Sequence, residues 1–317
     1  MRHKAQTTHT LRQIGARFDA GETAIFTRQL EHVKAEIVDA EFPALRAREF
    51  IPQESGVNPG ADTFTWREFT RVGLAEMISN YSTDLPDVTE YGQENKSPIE
   101  SIGVSFKYNL QEVKAAGMSG YALESRRGII AREAIERKID KVAAHGDSGR
   151  NVPGFVNNSS VTLVTAGING DWDGAATPAE ILEDLHTMSM AVWEQSKHIH
   201  RADTMLLGTT LYKIIATTPY STTIPDSLLD VFLRSSPHIR TVDAWVQLDL
   251  ADAEGNGPRA VVYEKSPMNM GLIVPVDFES LPPQPENLNF KVPCHARVGG
   301  AVVYRPLAMV YVDALLD

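Results

Sequence analysis

Residues 63–78 read TFTWREFTRVGLAEMI and residues 98–110 read PIESIGVSFKYNL, with the polar stretch NYSTDLPDVTEYGQENKS at 80–97 between them. The first opens on alternating Phe64 and Trp66 and is rich in β formers, and the second alternates through Ile102, Val104, Phe106 and Tyr108. A period of two is the mark of a strand with one buried face, so two long strands are expected here. The stretch between them is acidic and aperiodic. A connection of that length inside a compact domain counts against the strands unless the loop has a task of its own. A two-stranded hairpin alone is marginal in water, so a long one with a polar tip is expected to lie against another subunit.

Working outward toward the C-terminus, LESRRGIIAREAIERKIDKVAAH at 123–145 puts Ile135, Ile139 and Val142 on one helical stripe and stops at Gly146. A helix of that length, roughly 35 Å at 1.5 Å per residue, suits a spine. The Gly-, Asn- and Ser-rich stretch at 146–160 then separates two regions. Thr177, Pro178 and Glu180 supply an N-cap, a first-turn proline and a capping-box glutamate for a helix carrying Ile181, Leu185, Met188 and Val192. Beyond it, a strand is expected at Thr204 to Leu207, short helices around Leu211 to Ala216 and Ser227 to Leu233, and strands near Ile239 to Trp245, Arg259 to Tyr263 and Gly271 to Val276. The end, NFKVPCHARVGGAVVYRPLAMVYVDAL, reads as two or three apolar strands broken at Gly299-Gly300 and Pro306. Toward the N-terminus, Phe26, Leu30, Val33 and Ile37 form one face of a helix at about Thr23 to Ala40. Glu41 to Gly60, broken by prolines, reads as an irregular connector lying along another surface. The class is α+β.

Composition narrows the function. The 317 residues are 43% apolar, enough for a sizeable core. No run approaches the roughly eighteen apolar residues of a membrane span, and the start of the chain shows no apolar leader, so no membrane association is expected. The single cysteine, Cys294, rules out an intrachain disulfide and fits a reducing compartment such as a cytoplasm. The net charge of −11 argues against a surface that grips nucleic acid everywhere. A local basic segment does exist: Arg2, Lys4, Arg12 and Arg17 precede the first acid, Asp19.

Candidate chemistry is thin. Gly146-Asp147-Ser148-Gly149 resembles the nucleophile loop of trypsin-like proteases, but it caps a helix, and the context that a catalytic triad needs is missing; it reads as a turn. His198 and His200 flank Ile199 and would share a face in a strand, yet lack a defined third ligand and sit beside Lys197 and Arg201. Cys294 and His295 would point to opposite faces of a strand. The sequons at Asn80, Asn157 and Asn158 carry no weight in a cytoplasmic protein. No phosphate-binding loop or dinucleotide fingerprint occurs, and no cofactor or metal is expected. The sequence offers no positive argument for an enzyme.

The order of parts (arm, long hairpin, spine helix ending in glycine, mixed domain, closing apolar strands) resembles the Hong Kong 97-type capsid fold of tailed phages, herpesviruses and encapsulin shells. More closely the chain is similar to a family of tailed-phage major capsid proteins, on TFTWREFTRVGLAEMISNYSTDLPDV, SPIESIGVSFKYNLQEVKAA, AREAIERKIDKVAAHGD with VPGFVNN, and VGGAVVYRPLAMVYVDAL. The resemblance implies an arm and connector at 1–60, an extended loop at 61–108 with its tip near Asp84 to Lys96, a peripheral domain at 109–159, an axial domain at 160–285, and C-terminal strands at 286–317 that return to the core sheet. It implies an icosahedral head built from pentamers and hexamers of this chain in the host cytoplasm, with portal, scaffolding and decoration proteins and packaged double-stranded DNA as partners. Inter-subunit contacts are then expected from Phe64, Trp66, Tyr81, Asp84, Tyr91 and Lys96, and DNA contacts from Arg2, Lys4, Arg12 and Arg17. The arm is short for a cleaved scaffolding domain, so a separate scaffolding protein is expected. Some members crosslink a loop lysine to a neighbour's asparagine; Lys96 is near the expected tip, but neither the asparagine nor its catalytic acid can be matched. A cellular shell holding an enzyme cargo, and a soluble hydrolase using Ser148 or the histidine pair, are the competing readings.

Overall fold

A wall of five short strands divides the molecule. In the computed structural model, which describes residues 45–73, 87–119, 123–165, 171–174, 176–221, 225–251, 257–313 and 315–316, these strands lie in the order β4-β13-β7-β5-β6. They are β4 (Thr162–Thr165), β5 (Thr204–Leu207), β6 (Thr241–Ala244), β7 (Ala260–Tyr263) and β13 (Met309–Asp313). All four residues of β5 and of β7, and all five of β13, are buried. That is why these segments read as continuous apolar runs rather than alternating ones: both faces of the wall are covered.

Alternate residues feed two different cores. Val261, Tyr263, Leu206, Met309 and Tyr311 face one, and Ala260, Val262, Met205, Leu207 and Val310 face the other. The second core is closed by α4 (Pro178–Gln195), α5 (Thr209–Thr217) and α6 (Leu228–Ser235). Helix α4 starts where its capping box dictates: the Thr177 side chain accepts from the Glu180 amide, and Glu180 accepts from the Thr177 amide. Its stripe of Ile181, Leu185, Met188 and Val192 is buried.

The first core lies beneath the 23-residue helix α3 (Leu123–His145). Ile135, Ile139 and Val142 are 1%, 1% and 3% exposed, each side chain worth about 1.5–3 kcal/mol of apolar burial. Beside α3 lies a second sheet, in which β11 (Asn289–Val298) pairs with β3 (Glu100–Asn109), β10 (Gln284–Glu286) and β9 (Val276–Ser280). Here one face is covered, so β11 alternates, with Val292, Cys294, Ala296 and Val298 inward. β8 (Met270–Ile273) pairs with β12 (Gly300–Val303). A short helix α2 (Leu110–Ser119) links β3 toward α3.

Two ties bind the wall to itself and to the segments packed beside it. Arg259, 4% exposed, donates two parallel hydrogen bonds to Asp313, Nε to Oδ1 at 2.7 Å and Nη2 to Oδ2 at 2.6 Å, and a further one to the Val156 carbonyl. Tyr263 donates to the Phe50 carbonyl at 2.9 Å, and burial holds its phenol protonated far above the ordinary range.

The structure corrects three expectations. The hairpin joins β1 (Thr63–Val72) to β2 (Thr89–Pro98), not to residues 98–110. The polar stretch contains the second strand because a hairpin packed on neither distal face needs no apolar alternation, and β3 belongs to the sheet beside α3. Lys96 therefore lies near the hairpin's base, opposite Thr65, rather than at its tip. The connector is not merely irregular, nor laid on another surface: α1 (Ala47–Phe50) buries Ala47, Phe50 and Ile51 in the chain's own first core, its Ala47 amide bonded to the buried Asp140 carboxylate at 2.9 Å. The helix at about Thr23 to Ala40, with Phe26, Leu30, Val33 and Ile37, lies outside the described residues.

Candidate functional site

The hairpin has two halves of different character. Strands β1 and β2 pair without a break from Thr63↔Pro98 to Val72↔Thr89. Register puts Phe64, Trp66 and Glu68 on one face together with Ser97, Asn95, Gln93 and Tyr91, and Arg67, Phe69, Glu94 and Gly92 on the other. At the base, Phe64 and Trp66 pack with Tyr304 against a small core of Ile99, Ile273 and Val302. The Trp66 ring meets Tyr304 edge-on with centroids 5.9 Å apart. Tyr304 in turn approaches Glu54 at 3.2 Å, and burial together with that carboxylate keeps its phenol protonated. Ser97, 1% exposed, donates to the Gly299 carbonyl at 3.1 Å.

Beyond Trp66 the ladder rises from the body, with Arg67, Glu68 and Phe69 still lining a cleft opposite Pro267, Met268 and Arg305. Six further steps at about 3.4 Å carry it roughly 20 Å to Val72. This distal part holds itself together with the Arg67–Glu94 ion pair at 2.9 Å and with Phe69, whose ring lies over Gly92. A Cβ on Gly92 would come within 2.9 Å of that ring, so glycine is what allows the aromatic to cross the strand. Phe69 remains 58% exposed on one face and Tyr91 64% on the other, with Val88 79% exposed nearby. Three large apolar side chains so exposed on a two-stranded ribbon mark a contact surface.

A second uncovered surface flanks α3. A groove of about 550 Å³ runs between its first turns and β9, lined by Phe106, Ile129, Arg132, Phe278, Leu281 and Val292. Ile129 and Ile130 are 66% and 56% exposed.

Residues 73–315 match the major capsid protein family. The chain belongs to that family. Among solved structures, this capsid protein resembles the capsid of Myoviridae phage XM1, with a TM-score of 0.78 at 19% identity, covering 94% of this chain and 99% of that one. It also resembles the capsid of a native GTA particle (TM-score 0.63, 12% identity, 93% and 99% covered) and a chain from Mycobacterium phage Ogopogo (0.59, 13%, 94% and 99%). No curated protein matches it. The capsid fold is thereby shown, and as a major capsid protein this chain is a structural subunit of a capsid. Among the described residues, no helix is long and apolar enough to cross a membrane.

The expected chemical motifs take ordinary structural places in this capsid protein. Gly146 ends α3 at φ +68°, where an added Cβ would lie 2.3 Å from the Val152 carbonyl oxygen. Ser148 opens a single 3₁₀ turn, Ser148–Arg150. Lys197 and His198 have φ of 51° and 70°, so the two histidines occupy a turn, not a strand. His198 stacks on Trp193 with centroids 4.0 Å apart, and His200 Nδ1 lies 2.7 Å from Glu264. Among the described residues no three His, Cys, Asp or Glu side chains group as a metal site. Cys294 is buried on β11, and burial raises its thiol pKa.

Of the residues expected at subunit contacts, Phe64, Trp66 and Lys96 sit in the hairpin's base third and Tyr91 in its distal part. Tyr81 and Asp84 lie outside the described residues, as do Arg2, Lys4, Arg12 and Arg17. Sequence reading passed over Phe69. The available signal was phase: Phe69 is out of step with Phe64 and Trp66, so it faces the opposite side of the ribbon.

Proposed function

We propose that this subunit assembles with itself into the pentamers and hexamers of an icosahedral head in the host cytoplasm, and that the distal hairpin is its principal reach onto a neighbouring copy. The carrying observation is the distal end of the hairpin, with Phe69 and Tyr91 exposed on opposite faces. Such a ribbon is marginal by itself and gains burial only in an assembly, where the contact should exceed the standard interface of about 1,600 Å². In this reading residues 109–159 belong to the peripheral domain with α3 as its spine, and 160–285 supply most of the axial domain. The subunit is structural, not enzymatic. Portal and scaffolding proteins are its further partners in this reading, and the basic residues Arg2, Lys4, Arg12 and Arg17 meet packaged DNA.

The test is to express the chain alone and with a scaffolding gene, and to image the product by negative-stain electron microscopy. Capsomers, tubes or hollow shells from the parent, lost in a Phe69→Ala, Tyr91→Ala double variant that still melts like the parent, support the reading. A well-folded parent that stays monomeric under both conditions overturns it.

A further inference from the structure

One end of the five-stranded wall carries a row of exposed cations. Arg240 precedes β6, Arg201 precedes β5, Lys265 follows β7 and Arg305 stands ahead of β13, all four exposed and all at the same end of neighbouring strands. Backbone bonds lock these loops together: Arg240 N to the Asp203 carbonyl at 2.8 Å, Asp203 N to the Tyr263 carbonyl at 3.2 Å, Glu264 N to the Ala308 carbonyl at 3.0 Å, and Arg305 N to the Asn269 carbonyl at 3.1 Å. With strands about 4.8 Å apart, four strand ends form a line roughly 14 Å long.

The carboxylates in these loops are used internally. Asp203 Oδ1 accepts from the Lys265 amide and the Thr204 hydroxyl, both at 2.9 Å. Glu264 Oε2 is held by His200 at 2.7 Å and by Asn269 at 3.0 Å. Among the described residues, Arg201, Arg240 and Arg305 form no ion pair with a carboxylate, while Lys265 donates its Nζ to the Glu49 carbonyl at 2.5 Å, although the whole chain carries a net charge of −11. Charge has been sorted here, the acids held by the chain's own donors and the three arginines left exposed.

We propose that this sheet end is a polyphosphate-binding edge that seats the backbone of double-stranded nucleic acid. A line of cations, one per strand, fits a linear polyanion better than a compact anion, and phosphate contacts need no sequence reading. The inference rests on the shell reading above, because it takes nucleic acid to lie against this subunit. Ile199 and Leu307, exposed beside the row, would also suit a protein partner, and the test separates the two.

Unassembled full-length subunit is titrated into a labelled 30-base-pair duplex of arbitrary sequence, at salt from about 50 to 200 mM, and compared with an R201Q/R240Q/R305Q variant checked for parental melting. Each lost phosphate contact removes about 0.9 from the slope of log K against log salt, so three remove about 2.7 and shrink the affinity change over this fourfold salt range by about 40-fold. That reduction is the expected result. Equal slopes, or no binding by the parent at the lowest salt, overturn the inference, while parental assembly in the microscope keeps the shell reading intact. A variant that keeps the parental slope but no longer assembles would assign the edge to contacts between copies instead. Should the triple variant misfold, R201Q and R240Q singly are each expected to lower the slope by about 0.9.

Discussion

Removing one carboxylate should test how the strands of the wall are tied together. Arg259 and Asp313, with side chains 5% and 10% exposed, form a double hydrogen bond, and the guanidinium also lies 4.7 Å above the Tyr311 ring. In Asp313→Ala the cation keeps only the Val156 carbonyl and the ring, and a buried charge stripped of its partner costs about 3–5 kcal/mol. That is a large part of a total stability on the order of 5–15 kcal/mol. For a body of about 270 residues, an unfolding entropy near 2.1 cal/mol/K per residue gives about 0.57 kcal/mol/K, so a 4 kcal/mol loss lowers Tm by about 7 °C. The assay is calorimetric melting of unassembled subunit. An Arg259→Leu, Asp313→Leu double variant should lose less than Asp313→Ala, because apolar replacement leaves no orphaned charge. An Asp313→Ala protein melting within about 1 °C of the parent would refute the claim that this pair is desolvated and mutually dependent.

Gly146→Ala should destabilise the subunit by more than about 2 kcal/mol, seen as lost solubility or a lowered Tm, because a positive φ and a 2.3 Å approach to the Val152 oxygen coincide there; Gly149→Ala, whose Cβ meets only the Asp147 side chain at 3.5 Å, should be tolerated. Ser148→Ala should leave particle assembly untouched in electron micrographs. Trp66→Ala should lower the Tm of the unassembled subunit, since its ring packs on Tyr304, whereas Tyr91→Ala should leave Tm unchanged and reduce assembly yield. Burial holds the His145 and His186 imidazoles below the ordinary value of about 6.5. Their unfolded forms therefore bind protons first, and stability present above that value is lost as pH falls through and below it. A His145→Gln, His186→Gln variant should show a smaller fall in Tm between pH 7.5 and 5.5, and an equal fall would remove both residues from the account.

The elements whose signals are local were legible in the chain. Helix α3 runs from Leu123 to His145 because an apolar stripe and a terminal glycine are both written in the sequence, and α4 begins at a capping box that needs only residues 177–180. The three closing strands are divided at Gly299 and at Pro306 for the same reason. Pairing was not legible. Residues 89–98 are polar along their length, and only the register with 63–72 makes them a strand. Residues 100–109 alternate as a strand should, but nothing local says that their partner is residues 289–298, nearly two hundred positions away. The contact surface divides in the same way: alternation placed Phe64 and Trp66 on one face, while the packing of Tyr304 decided that this face closes on the chain itself and leaves Phe69 and Tyr91 outside. The row of Arg201, Arg240, Lys265 and Arg305 is scattered over a hundred residues and becomes a row only when four strands of one sheet end side by side. Helix stripes and caps are set by neighbours within about one turn, so the sequence by itself determines them; sheet register, buried faces and charge alignment depend on which distant segments meet, and only the tertiary structure decides that.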